Sequence, residues 1–258
     1  MAKCQFSETQ FVMGYLGEYF SRLRKLRPHS TPKFMLPTTS LEPLTGSDLI
    51  IERLSGLDFF QFKRSEFMNK RRGAREMASG LPKSFRPYYR FQIYNGGGIP
   101  QFDRLRDISA LHPSLNTYYC APIFHTNLEF QNIFWRQEIM NNSALINCNQ
   151  FNLPQFKKPM FDIDDGDVHY MVFNKSVNGY LCSERKEVKI SKEPIYFEAK
   201  NDSFNVIQIV NDLFNYIIEQ EDSNNNLFRK FEESTALKFQ YSSFYLMEHH
   251  NIMTIPKY

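Results

Sequence analysis

The order of apolar and polar residues predicts a β-hairpin early in the chain. Two short runs rich in Ile and Phe, residues 48–53 and 58–63, flank the turn residues Ser55 and Gly56. Runs of this composition, separated by a turn that contains glycine, are typical of paired antiparallel strands. We therefore expect a hairpin that is closed at the turn and open at its other end.

The pairing of the two strands decides which side chains share a face. We expect Arg53 to pair with Asp58, a register that places Asp48 directly opposite Lys63. Directly opposed residues point to one face, with Cβ atoms about 5 Å apart, and side chains alternate along each strand. Asp48, Gln61 and Lys63 therefore share one face at the open end. The predicted apolar face consists of Leu49, Ile51, Phe60 and Phe62.

Periodicities around the hairpin predict an α/β fold. Residues 7–26 carry apolar residues at helical spacing, and Ser7 suits the N-cap of this helix. Its predicted buried stripe consists of Phe11, Tyr15, Tyr19 and Leu23. Further helices are predicted over 101–112 and 127–139, and strands over 33–37, 88–94 and 117–124. Strands and helices thus alternate after the hairpin, which is typical of an α/β sheet flanked by helices.

Residues beyond 150 follow a different pattern. Short strands are predicted within 161–174 and 187–192, and a strongly amphipathic helix is predicted over 203–220. We therefore predict an α/β core over residues 1–150 and a C-terminal α+β extension over residues 151–258.

Composition is typical of a globular protein. The chain has 258 residues, 42% of them hydrophobic, which is enough for the core of one elaborated domain. No apolar run reaches the ~18 residues of a membrane helix, so we expect no membrane partner, and the N-terminus lacks the pattern of a secretory signal. The four cysteines are too widely spaced for a zinc site or a disulfide framework. We expect buried thiols in a reducing cytoplasm.

Positive charge is concentrated immediately after the hairpin. The net charge is only +3, but residues 64–86 carry seven basic residues against two acids. Lys and Arg contacts to phosphates provide most of the affinity for duplex DNA, whereas the structural alternative is a solvated basic helix. The position of the segment next to Lys63 favours nucleic-acid binding. The predicted nucleic-acid-binding residues are Arg64, Lys70, Arg71, Arg72 and Arg75.

The polar face of the hairpin carries the groups that phosphodiester hydrolysis needs. The Asp48 carboxylate and the Gln61 amide oxygen are ligands that Mg²⁺ accepts. A bound metal lowers the pKa of its water and clamps phosphate oxygens. The Lys63 ammonium group can orient a water or stabilise charge that develops on the phosphate. The structural alternative is an ordinary exposed ion pair between Asp48 and Lys63, which contributes ~0–1 kcal/mol.

The residues "GSD" and "FQFK" resemble the core motif of the PD-(D/E)xK nuclease superfamily. They match the variant, carried by Mrr-like restriction enzymes, in which glutamine replaces the second acid. The resemblance covers about residues 6–125, and Ser47 stands where the family has proline. It implies a restriction-endonuclease-like core, in which helices flank a mixed sheet. It also implies Mg²⁺-dependent hydrolysis of DNA, with Mn²⁺ as a substitute metal.

The resemblance also implies roles for individual residues. Asp48 and Gln61 would face the metal, and Lys63 would be the catalytic lysine. Glu8 in "SETQF" matches the additional glutamate that the first helix often supplies in those enzymes. Glu42 lies in the loop before the hairpin, and two interpretations stay open for it: a further metal ligand or a solvated loop acid.

The implied partners are double-stranded DNA, a second copy of the chain in a homodimer, and further proteins of prokaryotic restriction or anti-phage defence. Two other functions fit the same residues. One is a non-catalytic nucleic-acid-binding or assembly subunit that retains the nuclease fold. The other is an RNase-type toxin, which differs only in its substrate.

Overall fold

The computed structural model describes residues 2–26, 34–36, 47–53, 56–69, 81, 85–94, 101–150, 168–176, 178–182 and 185–191. The chain divides into two compact units, Met1–Ala199 and Lys200–Tyr258, and every described residue belongs to the first unit. The described residues form two β-sheets with associated helices, so the predicted α/β class is confirmed. The helix predicted over 203–220 lies outside the described residues.

The order of elements follows the sequence prediction as far as residue 122, apart from two short additional strands and small shifts at the ends of elements. In chain order the elements are β1 (Ala2–Lys3), α1 (Glu8–Leu26), β2 (Phe34–Met35), β3 (Leu49–Arg53), β4 (Gly56–Phe62), β5 (Glu66–Met68), β6 (Tyr88–Tyr94), α2 (Gln101–Leu111), β7 (Leu115–Pro122), α3 (Asn127–Trp135), β8 (Ser143–Asn147), β9 (Val168–Phe173), β10 (Asn178–Leu181) and β11 (Lys186–Lys189).

One sheet contains the predicted hairpin. Its strand order is β2-β3-β4-β7-β8, which follows the order of these strands along the chain. Strands β4 and β7 are parallel, and the other neighbours are antiparallel. Helix α2 comes directly before β7 and contacts it extensively. The sheet is therefore mixed.

The other sheet joins distant parts of the chain. Its order is β1-β5-β6-β9-β10-β11, and all of its neighbours are antiparallel. Strand β6 pairs with β9 along six residue pairs. Strands from both sides of residue 150 therefore belong to one sheet.

Helix α1 packs on the apolar face of the hairpin. The ring of Phe11 lies 5.6 Å from that of Phe62, and the ring of Tyr15 lies 5.5 Å from Phe62 and 5.9 Å from Phe60. Burial of each such side chain contributes roughly 1.5–3 kcal/mol, and each aromatic pair adds ~0.5–1.5 kcal/mol. The predicted apolar face of the hairpin is confirmed, because all four of its members belong to this core.

The start of α1 is fixed by its predicted cap. The Ser7 hydroxyl accepts a hydrogen bond from the Gln10 amide at 3.1 Å, and the Gln10 side chain accepts one from the Ser7 amide at 2.8 Å. This reciprocal pair is a capping box. It places Glu8 in the first turn, where a negative charge is favourable.

The predicted hairpin register is wrong by two residues. Leu49 pairs with Phe60, Ile51 with Asp58, and Arg53 with Gly56, so the strands are joined across residues 54 and 55 alone. A two-residue connection is the commonest in hairpins, whereas the predicted register needed a longer one. Asp48 is therefore not opposite Lys63. The regular pairing ends at Leu49, and the Asp48 amide donates to the carbonyl of Phe60, the residue that pairs with Leu49.

The shift of two residues leaves the faces of the hairpin unchanged. Side chains alternate with a period of two, so only an odd shift exchanges the faces. Gln61 and Lys63 still point to one face, and the Asp48 carboxylate contacts the Gln61 side chain.

Two other predicted elements differ from the structure. The sequence analysis predicts no strand within residues 64–86, but Glu66–Met68 form β5, whose backbone pairs with β1 and β6. A strand of three residues is too short for an alternation of apolar and polar residues to be recognised in the sequence. Helix α3 ends at Trp135 rather than at residue 139, because Gln137 adopts a left-handed backbone with φ of 55°, which ends a helix.

Candidate active site

The open end of the hairpin is held by the Asp48 carboxylate. Its Oδ2 atom accepts hydrogen bonds from the Phe62 amide at 2.7 Å and from Gln61 Nε2 at 2.5 Å. The Asp48 amide donates to the Phe60 carbonyl at 2.8 Å. Asp48 is half-buried, whereas Gln61 is 3% exposed. Two of the predicted site residues are therefore in direct contact.

Gln101 connects Gln61 to Lys63. As the first residue of α2, it donates from Nε2 to Gln61 Oε1 at 2.5 Å and accepts from Lys63 Nζ at 2.8 Å. A continuous chain of side-chain hydrogen bonds therefore runs from Asp48 through Gln61 and Gln101 to Lys63. We call these four residues the hairpin cluster.

Tyr119 forms the floor under the hairpin cluster. It lies opposite Gln61 in the parallel pairing of β4 and β7, and Lys63 Nζ lies 5.9 Å from its ring centroid. Complete burial is the main cause that raises the Tyr119 pKa well above its ordinary value, and Asp48 is among the negative groups that raise it further. Tyr119 is therefore neutral at physiological pH and supplies a rigid face for the Lys63 ammonium group.

Glu8 lies at the same end of the hairpin on the α1 side of the sheet. It precedes Phe11 by three residues, about one helical turn, and Phe11 packs against Phe62. Helix α1 therefore points its N-terminal end toward the end of β4, where Lys63 follows. Glu8 is half-buried there. The expectation that its carboxylate comes within 4 to 7 Å of Asp48 stays a prediction.

Arg64 is the one predicted nucleic-acid-binding residue that falls within the described ranges. It is exposed, and its Nη2 atom donates to the Cys4 carbonyl at 2.8 Å. Arg64 thus connects the end of β4 to the N-terminal segment and keeps its charge at the surface. The predicted metal ligand Glu42 and the predicted nucleic-acid-binding residues Lys70, Arg71, Arg72 and Arg75 lie outside the described residues.

The oxygen atoms of the hairpin cluster suit a hard cation. Mg²⁺ prefers carboxylate and carbonyl oxygens, and Asp48 and Gln61 each carry one. In the structure the Gln61 amide nitrogen faces the Asp48 carboxylate, and the Gln61 amide oxygen faces Gln101. Across the described stretches, no three His, Cys, Asp or Glu residues form a cluster that could hold a metal. The contacts within the cluster therefore bring together one acid and one amide, Asp48 and Gln61. Gln61 Oε1 would exchange its bond from Gln101 for a bond to the metal.

The four cysteines are not part of this site. All four are buried thiols, as the sequence predicts. Burial is the main cause that raises the pKa of Cys148 to about 12 and the pKa of Cys4 to about 11, so these two thiols stay protonated at neutral pH. A protonated, buried thiol is a poor nucleophile and a poor metal ligand.

Sequence reasoning missed Gln101 and Tyr119 as members of the site. Gln101 stands 38 residues after Lys63 and follows a glycine-rich stretch, so no motif spacing connects the two. The one signal in the sequence was that a helix is predicted to begin at residue 101, which puts the polar side chain of Gln101 at a helix start. Tyr119 belongs to a predicted strand, but only the pairing of β7 with β4 places it beside Gln61.

Comparison of the chain with protein-family models, with curated proteins and with solved structures gives no match. Among the helices that the structure describes, none combines the length and the apolar character that crossing a membrane requires. The hairpin cluster is therefore interpreted from its own chemistry.

Proposed function

We propose that the protein is a metal-dependent endonuclease that hydrolyses phosphodiester bonds of double-stranded DNA. The observation that supports this proposal most is the hairpin cluster itself. It brings a carboxylate, an amide oxygen and an ammonium group together on one face of a mixed sheet. Phosphodiester hydrolysis needs oxygen ligands for a metal and a positive group beside the phosphate.

The architecture around the cluster supports a restriction-endonuclease-like core. Helix α1 covers one face of the hairpin, and β7 runs parallel to β4 with α2 directly before it. The motif residues occupy the end of β4 and the residue just before β3. This arrangement agrees with the mixed sheet flanked by helices that the sequence resemblance implies.

Each residue of the cluster has a role in the proposed reaction. Asp48 and Gln61 would hold Mg²⁺ or Mn²⁺, with Glu8 as a further acid. The metal, when bound, supplies an activated water and neutralises phosphate charge. Lys63 holds a positive charge beside the scissile phosphate, and Gln101 orients the Lys63 side chain by accepting a hydrogen bond from its ammonium group at 2.8 Å. The buried Tyr119 ring keeps water from beneath the Lys63 stem.

A non-catalytic nucleic-acid-binding or assembly subunit is the second candidate function. It is favoured by the internal bonding of the cluster, because Gln61 Oε1 already accepts from Gln101 and Asp48 Oδ2 already accepts two hydrogen bonds. Such a network stabilises the hairpin without any metal. A retained but inactive nuclease fold would keep it.

One incubation experiment separates the candidates. The full chain is mixed with supercoiled plasmid DNA or with a folded RNA, in Mg²⁺, in Mn²⁺ and in EDTA. We expect nicked and linear plasmid in either metal and intact plasmid in EDTA. Cleavage of RNA alone would indicate the RNase-type toxin. Binding to DNA without cleavage in any metal would indicate the non-catalytic subunit.

The proposal includes a biological setting and an assembly. Prokaryotic restriction or anti-phage defence is the setting that the sequence resemblance implies, and a homodimer is the assembly that would cut both strands. Sedimentation of the purified chain, alone and with a short DNA duplex, measures the assembly directly.

A further inference from the structure

Arg104 is a buried arginine to which no acceptor is assigned. It lies in α2, and only 6% of its surface is exposed. Its Nε and Nη1 atoms have no hydrogen-bond partner among the described residues. A guanidinium group has five N–H donors and cannot lose its proton in a protein. Arg104 is therefore a permanent positive charge enclosed by the fold.

Burial of a charge without a partner is strongly unfavourable. Buried charges in proteins are paired or bound to ligands because such contacts replace the hydration that burial removes. Arg106, on the same helix, is paired with acids in the usual way. It is 39% exposed, and its guanidinium lies 2.6 Å from Asp107 and 3.6 Å from Asp103. Both of these acids flank Arg104 in the sequence, yet the structure pairs them with Arg106.

The position of Arg104 connects it to the hairpin cluster. Gln101 and Arg104 are three residues apart on α2, so their side chains are neighbours on one side of the helix, with Cβ atoms about 5–6 Å apart. Gln101 holds Lys63 and Gln61. It is also the first residue of α2, where the helix dipole is positive. Lys63 and the positive start of the helix thus lie at Gln101, and Arg104 follows about one turn further along α2.

We propose that Arg104 binds a phosphate group of the nucleic-acid substrate next to the phosphate at Lys63. This inference rests on the proposed nuclease function and adds a substrate contact to the same site. A planar guanidinium forms two parallel hydrogen bonds to a phosphate, a geometry that a lysine cannot provide. The Nε and Nη1 atoms that have no partner are donors of the kind that this contact uses.

The proposal explains why a stable core would tolerate an unpaired charge. Replacement of a buried charge by an apolar side chain of similar size is often stabilising. A phosphate that enters the site supplies the missing acceptor and removes the penalty. The unpaired charge thus lowers the stability of the free protein, whereas the phosphate-bound protein does not carry this penalty.

The test uses Arg104→Met, Arg104→Gln and the matched control Arg106→Gln on the same helix. Thermal unfolding of the full chain is followed without and with inorganic phosphate, the smallest probe that carries the proposed ligand group. We expect phosphate to raise the Tm of the wild type and of Arg106→Gln. Both Arg104 variants should bind phosphate roughly 10- to 100-fold more weakly, the reduction expected when a charge-assisted hydrogen bond is removed.

Arg104→Met also separates binding from a purely structural role. Without phosphate, its Tm should equal or exceed that of the wild type, because an unpaired buried charge has been removed. A Tm well below that of the wild type would show that Arg104 holds the fold together, and would overturn the proposal. An equal phosphate response in the wild type and both Arg104 variants, or no response in the wild type, would overturn it as well.

The same variants keep this inference distinct from the nuclease proposal. If the wild type cleaves plasmid DNA and the Arg104 variants match it in cleavage and phosphate response, the Arg104 contact is absent and the nuclease stands. If the phosphate response depends on Arg104 but no metal supports cleavage, the anion site stands and the nuclease fails.

Discussion

At the scale of single residues, Asp48 has an observed structural contact and a proposed role as a metal ligand. Its carboxylate joins the two hairpin strands by accepting from the Phe62 amide and from the Gln61 side chain. The same carboxylate is the main acidic ligand of the proposed metal site. Loss of Asp48 therefore affects both the fold and the activity, and a single substitution cannot report on the metal alone.

Two substitutions at Asp48 separate these functions. Asp48→Ala leaves the Phe62 amide without its acceptor and leaves Gln61 Nε2 with the Phe62 carbonyl alone. This should lower the free energy of unfolding by about 1–3 kcal/mol. Asp48→Asn keeps one carbonyl oxygen and should cost less, but it removes the negative charge that binds the metal. Urea unfolding measures the first effect, and cleavage in Mg²⁺ and excess Mn²⁺ measures the second. Equal stability of the two variants would argue against the joining role.

Gln101 offers a test of positioning rather than chemistry. Gln101→Ala removes the acceptor of Lys63 Nζ and the donor to Gln61 Oε1. Residues that orient catalytic groups typically contribute 10- to 100-fold to activity. We expect kcat to fall by roughly that factor while KM for DNA changes little. Gln131→Ala, on the exposed surface of α3, is the control. A change in KM alone would mean that Gln101 acts on binding instead.

The residues that the sequence predicts for the site come mainly from one continuous segment. Alternation along the two hairpin strands was sufficient to place Asp48, Gln61 and Lys63 on one face. Gln101 and Tyr119 come from elements that reach the hairpin only through tertiary packing. Local periodicity contains no information on such contacts, so they could not be predicted.

At the scale of elements, the hairpin shows how a register error can be harmless to a site. The predicted and observed registers differ by two residues because the turn is shorter than expected. The faces are unchanged, but the partner of Asp48 changes from Lys63 to Gln61. A chain of side-chain hydrogen bonds through Gln61 and Gln101 connects Asp48 to Lys63.

The start of helix α3 can be tested by the pH dependence of stability, because its cap contains the ionisable Glu129. Glu129 accepts hydrogen bonds from the amides of His125 and Thr126 and from the Thr126 hydroxyl, and Thr126 accepts from the Glu129 amide. Burial alone would raise the Glu129 pKa, but these hydrogen bonds together lower it below its ordinary value of 4.5. The carboxylate therefore stabilises the folded state above that pH, and this contribution disappears as pH falls through the lowered pKa.

Glu129→Gln should reveal this contribution. The amide keeps an acceptor but has no charge, so the wild type should be more stable by a few tenths to about 1 kcal/mol at neutral pH. The difference should vanish at a pH below the lowered pKa, where the wild-type carboxyl is protonated. Urea unfolding at several pH values measures it, with Glu187→Gln on the exposed part of β11 as the control. A difference that is independent of pH would contradict the assigned cap.

At the scale of the whole molecule, the sequence predicted strands of both sheets but not their division into two sheets. Strands β6, β9 and β11 of the second sheet overlap predicted strands, whereas β8 of the hairpin sheet was not predicted. The hairpin sheet follows chain order, so neighbouring signals combine into neighbouring strands. The second sheet pairs β1 with β5 and β6 with β9, which are far apart in sequence, and four of its strands have four residues or fewer. Short strands with distant partners have weak local signals, because pairing rather than propensity stabilises them.

The basic segment allows a prediction for the whole DNA interface. Replacement of Arg71, Arg72 and Arg75 together by Ala should weaken binding to all DNA sequences, because arginines of this kind bind phosphates. The slope of log affinity against log salt should become less steep, by about 0.9 for each phosphate that is no longer neutralised. Fluorescence anisotropy with two unrelated duplexes at several salt concentrations measures both effects. An unchanged salt slope would mean that these arginines do not bind DNA.

The central claim, that the hairpin cluster cleaves DNA, depends on Lys63 most directly. The decisive measurement is the rate of plasmid cleavage in Mg²⁺ by Lys63→Ala, beside the wild type and the control Lys25→Ala at the far end of α1. Lys63 is half-buried and directly follows a strand, so its removal should leave the fold and DNA binding intact. We expect the rate to fall by 10²–10³ or more, the effect of removing one strong electrostatic stabiliser. Cleavage by a folded Lys63→Ala variant at the wild-type rate would contradict the account.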